Sequence, residues 1–446
     1  MQQEHKTIFA PATHPGKAGV AVIRISGDQS SKLFGNICNV KNPTPRKAIF
    51  TNFTHPKTKE IIDHGILIWF PSPNSFTGED TIELHIHGSI AIINNLMEIL
   101  SGFEMFRVAL PGEFARRAFL NGKMDLTRAE GLADLIEAET SLQHKQALRQ
   151  MSGELEKLYD SWRIEIIKIL ANIEAYIDFP DEDDIPQDLI EKVENSVNNL
   201  VAAIEYHLSD NNRGEKLRSG IYVAITGKPN AGKSSLLNYL ARRDVAIVSH
   251  IAGTTRDVIE VHLDIAGIPI TLADTAGIRE SNDIIEEEGI RRAKEKSQNS
   301  DFNIVIFDAN EVGPDKETYQ LINENSLIVI NKIDSITNQK FDDSGLHNPT
   351  YISLKNHTNL DGLIKRLEEK ANAIISPSSD PVITRARYRN HLSACRDNLK
   401  LFSLTKELEL AAEDLRMAAR ELGQITGIID IDTILDEIFS NFCIGK

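Results

Sequence analysis

The segment GKPNAGKS, residues 227–234, follows the β-branched run IYVAIT and precedes SLLNYLARR, whose apolar residues recur at helical spacing. Strand, glycine loop and helix start, in that order, build an anion site. Gly227 and Gly232 let backbone N–H groups close around phosphate oxygens, and the helix N-terminus adds positive potential. Lys233 brings a cation to the outer phosphates, and Ser234 offers a hydroxyl to Mg²⁺. A glycine turn beside a chance lysine is the alternative, and the flanking strand and helix argue against it.

Three further segments close apolar runs. DTAG begins at Asp274 after IPITLA, where a carboxylate can hold Mg²⁺ and the Gly277 N–H can meet a terminal phosphate. NKID begins at Asn331 after LIVI, and the Asp334 carboxylate there suits the two adjacent N–H donors of guanine, which adenine lacks. SLK begins at Ser353, as a base-contacting loop would. The order of these loops resembles that of Ras-like GTPases, which implies GTP rather than ATP.

Carried onto this chain, that resemblance puts Asn230, Ala231, Gly232, Lys233, Ser234 and Ser235 against the phosphates. The first switch falls on GTTRD, Gly253 to Asp257, with Thr255 joining Ser234 on Mg²⁺, and Ser249, His250, Ile251, Ala252, Gly253, Thr254 and Thr255 are expected at the nucleotide. Asp274, Thr275, Ala276 and Gly277 face the terminal phosphate, and Asn331, Lys332, Asp334 and Ser353 face the base. The second switch departs from the Ras pattern, because Ile278 stands where a water-orienting glutamine is usual. Glu280, Glu286, Glu287 and Glu288 follow, and by residue type alone they read as a solvated helix start.

These loops need a scaffold. Short β-branched runs alternate with helical stretches from Ile221 onward, the mark of a parallel sheet with crossover helices. Before it, residues 125–179 run long with three- and four-residue apolar spacing until Pro180 and Pro186 stop them. After it, helices return, with Leu401, Leu404, Leu408, Leu415 and Leu422 on one expected apolar face. Helical texture on both sides favours an inserted α/β domain over two separate helical domains. The expected organisation is a mixed α/β domain at 1–121, a discontinuous helical domain at 122–217 and 378–446, and an inserted parallel-sheet α/β domain at 218–377.

At 446 residues, two or three domains are expected. A net charge of −16 argues against a surface that grips nucleic acid mainly by neutralising phosphates, though a local basic patch is compatible with it. Cys38, Cys395 and Cys443 are odd in number and far apart, so neither a disulfide framework nor a CxxC metal site is expected. No apolar run has the length of a membrane span, and MQQEHKTIFA lacks the apolar core of a targeting peptide. A cytoplasmic protein is expected.

Outside the α/β insert, the blocks TIFAPATHPGKAGVAVIRISG, PNSFTGEDTIELHIHG and PGEFARRAFLNGKMDLTRAEGLADLI and the terminal FCIGK stand in the order of one family. With the insert, the whole chain resembles the tRNA modification GTPases called MnmE or TrmE. That resemblance implies an N-terminal domain similar to tetrahydrofolate-binding one-carbon enzymes, which also mediates homodimerisation. It implies an FAD-dependent partner, MnmG, and joint installation of an aminomethyl or carboxymethylaminomethyl group on C5 of the wobble uridine in certain tRNAs. The one-carbon unit is that of a 5-formyl- or methylene-tetrahydrofolate. Folate contacts fall on Arg24, Glu83, Lys123 and Lys446: cations for the glutamate tail, a carboxylate for the pterin N–H donors. By residue type alone, Arg24 and Lys123 read as solvated charges.

The family's GTPase is activated by K⁺, and the resemblance implies a cage from Asn230, Ser249, Ile251 and Thr254 that closes when two GTPase domains meet. Ser249 departs from the threonine often found there, which a backbone oxygen would not register. The catalytic residues so implied are Glu286, which positions water, with Lys233 and Cys443.

His85 and His87 share a strand face with Glu83, but no third metal ligand is legible at motif spacing. The acidic DEDD at 181–184 reads as a solvated loop. As a prenylation box the tail fails on Gly445 and Lys446. Ile434, Leu435, Ile438, Phe439 and Phe442 instead make one helix face, so the tail is expected to dock and deliver the Cys443 thiol to the folate site. Two other classes share parts of this pattern. A ribosome-assembly GTPase would add a basic RNA-binding module, and a membrane-anchored GTPase would need the lipid site that the tail lacks.

Overall fold

The computed structural model describes residues 6–14, 16–178, 187–243, 260–274, 298–336, 341–376, 380–429, 435, 438–440 and 442–445. The chain divides into one unit of Met1–Ala133, Met151–Ala175 and Ala412–Lys446, and another of Asp134–Gln150 and Tyr176–Ala411.

In the first unit, strands β1 (Thr7–Pro11), β2 (Ala18–Ser26), β3 (Ile49–Thr54), β4 (Ile61–Phe70), β5 (Thr81–Gly88) and β6 (Phe106–Val108) form one sheet in the order β3-β4-β5-β2-β1-β6. Its pairs are antiparallel except β1 with β6. Alternation sorts the residues between its faces. Ile23, Ile25, Ile82 and Leu84 are fully buried in a cluster with Leu96 and Leu100 of the helix Ile90–Ser101. Arg24 and Glu83, one step out of phase, turn to the opposite face. There Ile8, Ala10 and Phe114, with Phe76, make a second small core.

The expected long helical stretch is three helices, Leu126–Glu137, Ser141–Met151 and Glu154–Asp178. Gly153 has a φ of +85°, a left-handed conformation that ends one helix and starts the next at little cost only for glycine. The leucine face expected after the α/β segment is also corrected. Leu401 ends the helix Ala386–Leu401 exposed to solvent, and the buried row on the helix Leu408–Thr426 is Ala411, Leu415, Ala418, Leu422 and Ile425. Spacing by sevens concealed the turn between the two helices.

In the second unit, β7 (Ile221–Thr226), β8 (Glu260–Ile265), β9 (Ile268–Asp274), β10 (Phe302–Asp308), β11 (Leu327–Asn331) and β12 (Thr350–Tyr351) form a sheet in the order β12-β11-β10-β7-β9-β8. All pairs are parallel except the β8–β9 hairpin. Both faces are covered: Ile304 and Ile306 enter one core, Val305 and Phe307 the other. Two-sided burial is why these strands read as continuous apolar runs. Parallel pairing brings the strand ends Thr226, Asp274, Asp308 and Asn331 to one edge, where open α/β sheets bind ligands.

Candidate nucleotide and folate sites

From the end of β7 the chain turns through residues 227–232 into the helix Lys233–Ala241. Gly227 has a φ of +147°, and a Cβ there would stand 2.4 Å from the Ile306 carbonyl oxygen. Gly232 has a φ of +113°, and its Cβ would stand 2.3 Å from Asn331 Nδ2. Both glycines are therefore required by close approach as well as by conformation. The buried Lys233 ammonium donates to the Gly227 and Lys228 carbonyls at 2.7 and 2.8 Å, holding the loop closed on itself. Ser234 and Ser235 are exposed on the first helical turn, and Asn230 is exposed in the loop at a φ of +63°.

Asn331 ties the phosphate loop to the base end. Its Nδ2 donates to the Ala231 carbonyl at 2.9 Å, and its Oδ1 accepts from Leu354 N at 3.2 Å. Ser353 Oγ donates to Asp334 Oδ1 at 2.5 Å and accepts from Asn356 N at 3.0 Å, so the carboxylate expected to read guanine is already oriented. The Lys332 ammonium lies 2.6 Å from Asp308 Oδ2. Partial burial pushes the Asp308 carboxyl up, but the Lys332 hydrogen bond and the Asn310 N–H outweigh it and hold it below its ordinary value. Asp308 was not among the expected residues. Its signal was available, as an aspartate ending a β-branched run like the other functional loops.

Asp274 ends β9, in register with Ile225 beside the base of the phosphate loop. A hydroxyl on the first helical turn and a carboxylate at an adjacent strand end are hard oxygen donors of the kind Mg²⁺ takes. Ser249, His250, Ile251, Ala252, Gly253, Thr254, Thr255, Thr275, Ala276, Gly277 and Glu286 lie outside the described residues. So do Ile434, Lys446 and the acidic stretch at 181–184.

In the first unit Arg24 and Glu83 face each other across β2 and β5. Arg24 Nε and Nη2 donate to Glu83 Oε1 at 3.1 and 2.9 Å, and the guanidinium lies 5.5 and 5.8 Å from the Phe76 and Phe114 ring centroids. His85 Nε2 stands 3.3 Å from Glu83 Oε2, and His87 Nδ1 stands 2.8 Å from Asp63 Oδ1, so each histidine is held by a carboxylate. The Arg24–Glu83 hydrogen bonds set these two candidate folate contacts side by side on neighbouring strands. Glu83 keeps acceptor capacity, because each carboxylate oxygen has two lone pairs. Lys123 reaches over Gly78, whose Cβ would stand 3.1 Å from Lys123 Cε.

The tail docks on this unit. Leu435, Phe439 and Phe442 pack with Ala115, Leu126 and Ala129, and Ile438 joins them. Gly112 N donates to the Cys443 carbonyl at 3.4 Å, and at Gly445, φ +96°, a Cβ would stand 2.1 Å from the Pro11 carbonyl oxygen. Pro11 pairs with Ile23 in the β1–β2 register, one step from the Ala10–Arg24 pair, so the tail lies against the strand that neighbours the Arg24 strand. Cys443 itself is exposed. A largely buried polar network in the same unit was not among the expected features. Arg117 donates to Glu79 at 2.9 and 3.1 Å and to the Lys6 carbonyl at 2.8 Å, and Glu79 accepts from Ser26 at 2.7 Å. Glu113 bonds Arg107 and Arg117; burial pushes its carboxyl up, and the Arg107 hydrogen bonds outweigh that and lower it. Among the described residues no helix is long and apolar enough to cross a membrane.

Comparison with known proteins fits this geometry. The family description "MnmE helical domain" matches residues 126–443, and "GTP-binding protein TrmE N-terminus" matches residues 7–123. The chain is 50% identical over 445 residues to the "tRNA modification GTPase MnmE" of Rickettsia bellii (strain RML369-C), covering 99% of this chain and 100% of that one. It is 52% identical over 446 residues to the protein of the same name from Orientia tsutsugamushi (strain Boryong), covering 99% of each.

The chain belongs to the MnmE family.

Solved structures similar to this MnmE-family chain include the G domain of the T. maritima FeoB iron transporter, with a TM-score of 0.25, 24% identity, and coverage of 34% of this chain and 98% of that one. Another is a GTP-binding protein from Sulfolobus solfataricus in complex with GDP, with a TM-score of 0.26, 16% identity, and coverage of 63% and 85%. The strand order and loops of this MnmE-family chain themselves give it the GTPase fold.

Proposed function

We propose that this chain is a K⁺-activated GTP hydrolase that acts with an FAD-dependent partner, MnmG, on C5 of the wobble uridine of certain tRNAs. The added group is an aminomethyl or carboxymethylaminomethyl, built with a tetrahydrofolate one-carbon unit. The observation that carries the reading is the pair of arrangements within one family chain: a phosphate loop bridged by Asn331 to an oriented Asp334, and a docked tail whose Gly445 lies against Pro11 of the strand paired with the Arg24 strand.

The chain's own groups divide the work as follows. Backbone N–H groups of residues 227–232 cradle the phosphates, and the Lys233 ammonium turns from the loop carbonyls to phosphate oxygens. Ser234 and Thr255 hold Mg²⁺, which neutralises phosphate charge when bound. Asn230, with Ser249, Ile251 and Thr254, holds K⁺ where other GTPases use an arginine. Glu286 orients the attacking water. Asp334 and Ser353 select guanine. Arg24, Glu83, Lys123 and Lys446 contact the folate, and Cys443 serves the modification chemistry.

Residues 122–217 and 378–446 are proposed as one discontinuous helical domain, with the GTPase inserted at 218–377 and the folate domain at 1–121; a helical-domain match running from 126 to 443 supports this. Homodimerisation is supported by Phe50 and Ile66, register partners on the edge of the first sheet that are 74% and 37% exposed. The tRNA substrate implies a cytoplasmic setting.

The test compares GTP hydrolysis in KCl and NaCl at equal ionic strength, with Asn230→Ala alongside. Stimulation by K⁺ that the variant loses is expected, and equal rates in both salts would refute the cation cage. Arg24→Ala is expected to weaken tetrahydrofolate binding, and unchanged binding would remove Arg24 from the site.

A further inference from the structure

The base end of the nucleotide site carries a closed ring of polar contacts that the GTP reading does not use. Asp308 ends β10 and pairs in register with Asn331, the last residue of β11. One oxygen of Asp308 takes the Lys332 ammonium at 2.6 Å. The other accepts from the backbone N and side-chain Nδ2 of Asn310 at 3.0 and 2.9 Å. Asn310 Nδ2 also lies 2.9 Å from Ser335 Oγ, and Ser335 Oγ donates to the Lys332 carbonyl at 2.9 Å. Lys332 is thus gripped at both ends, at its ammonium and at its carbonyl.

Its backbone is unusual too. Lys332 has a φ of +68°, a left-handed conformation that a β-carbon disfavours and that persists only where the surroundings impose it. A lysine normally keeps its stem mobile in water. Here the ammonium is fixed, so the four-carbon stem is fixed as well, two residues from the Asp334 carboxylate in the turn Ile333–Ser335. A carboxylate that accepts from a purine edge holds the ring in plane, and an apolar stem beside it offers a surface to the ring's face.

We infer that Asp308 is a positioning residue for guanine binding: by anchoring the Lys332 ammonium it keeps the lysine stem preset against the face of the base that Asp334 reads. This rests on the GTP reading above. Asp308 touches neither base nor phosphate and acts through Lys332. Presetting lowers the ordering cost of binding, so its loss is felt in nucleotide affinity and residence time rather than in the hydrolytic step.

The experiment uses the full chain, fluorescently labelled GDP and labelled ADP, and steady-state GTP hydrolysis. Asp308→Asn removes the charge at constant shape and is expected to weaken labelled GDP by about tenfold, mainly through faster dissociation. KM for GTP rises and kcat changes far less. The decisive reading is a double-mutant cycle: in a Lys332→Met background, Asp308→Asn is expected to cost less than about twofold. Asn310→Ala, at the exposed side of the ring, is expected to reproduce a loss of about threefold and decides the matter should Asp308→Asn not fold. Unchanged affinity in a folded Asp308→Asn variant, or an equal loss with and without Lys332, overturns the inference. A parent chain that binds labelled GDP no better than labelled ADP overturns instead the guanine reading beneath it.

Discussion

Replacing Asn331 with alanine should separate the phosphate loop from the base end. The Asn331 side chain is 2% exposed, and its amide is used twice, on the Ala231 carbonyl and on Leu354 N. Ala231 is equally buried, so its carbonyl would be stranded, at a cost of about 1–3 kcal/mol for an unsatisfied buried group. Leu354 is partly buried, and water recovers part of its loss. The two together give about 2–4 kcal/mol, and because they hold the loop in its ligand-ready form, most of that falls on nucleotide binding. Labelled GDP should then bind about 30- to 800-fold more weakly to Asn331→Ala than to the parent chain. Nucleotide-free thermal unfolding of the same samples shows whether the fold survived. A folded variant that binds within about threefold of the parent would refute the bridging role, since one lost buried hydrogen bond already exceeds that factor.

Gly445→Ala should undock the tail, because the φ of +96° disfavours a side chain and its Cβ would stand 2.1 Å from the Pro11 oxygen; carboxypeptidase digestion should trim the variant faster than the parent, and equal rates would contradict the docking. Asp125 caps the helix Leu126–Glu137 through Thr127 and Arg128, and burial, with Glu156 nearby, pushes its carboxyl from 3.8 up to about 6. With the folded value above the unfolded one, this group's contribution is fully present below about pH 4 and is lost as pH rises through about 6. Asp125→Asn should therefore flatten the melting temperature across that window, and an unchanged slope would show that other groups set it. Cys443→Ser should keep GTP hydrolysis and lose wobble-uridine modification, measured on undermodified tRNA; full modification would dismiss the thiol.

Residues that act through local backbone were legible in the sequence alone. Gly227, Gly232, Lys233 and Asp334 sit in loops whose shape their own sequence dictates, since a glycine at positive φ, a strand end and a helix start are all short-range events. The apolar face of Leu435, Ile438, Phe439 and Phe442 was legible for the same reason, because helical spacing is a property of the segment alone. The leucine row from Leu401 to Leu422 misled, because spacing by sevens continues in print across a turn that the chain makes at Phe402.

Sequence by itself pointed to the loops on which the proposed chemistry rests and to a docked tail: a glycine loop between strand and helix, an aspartate in the turn after β11, and an apolar face ahead of Cys443. What it could not determine was which groups would neutralise one another. The Arg24–Glu83 pair joins residues 59 apart, Asn331 reaches Ala231 across 100 residues, and Lys332 meets Asp308 across 24. Each pairing depends on which strands lie side by side, and strand order arises from burying two faces of a sheet at once rather than from any local preference. Only the tertiary structure, therefore, could join Arg24 to Glu83 and the Lys332 ammonium to an otherwise unremarked aspartate, Asp308.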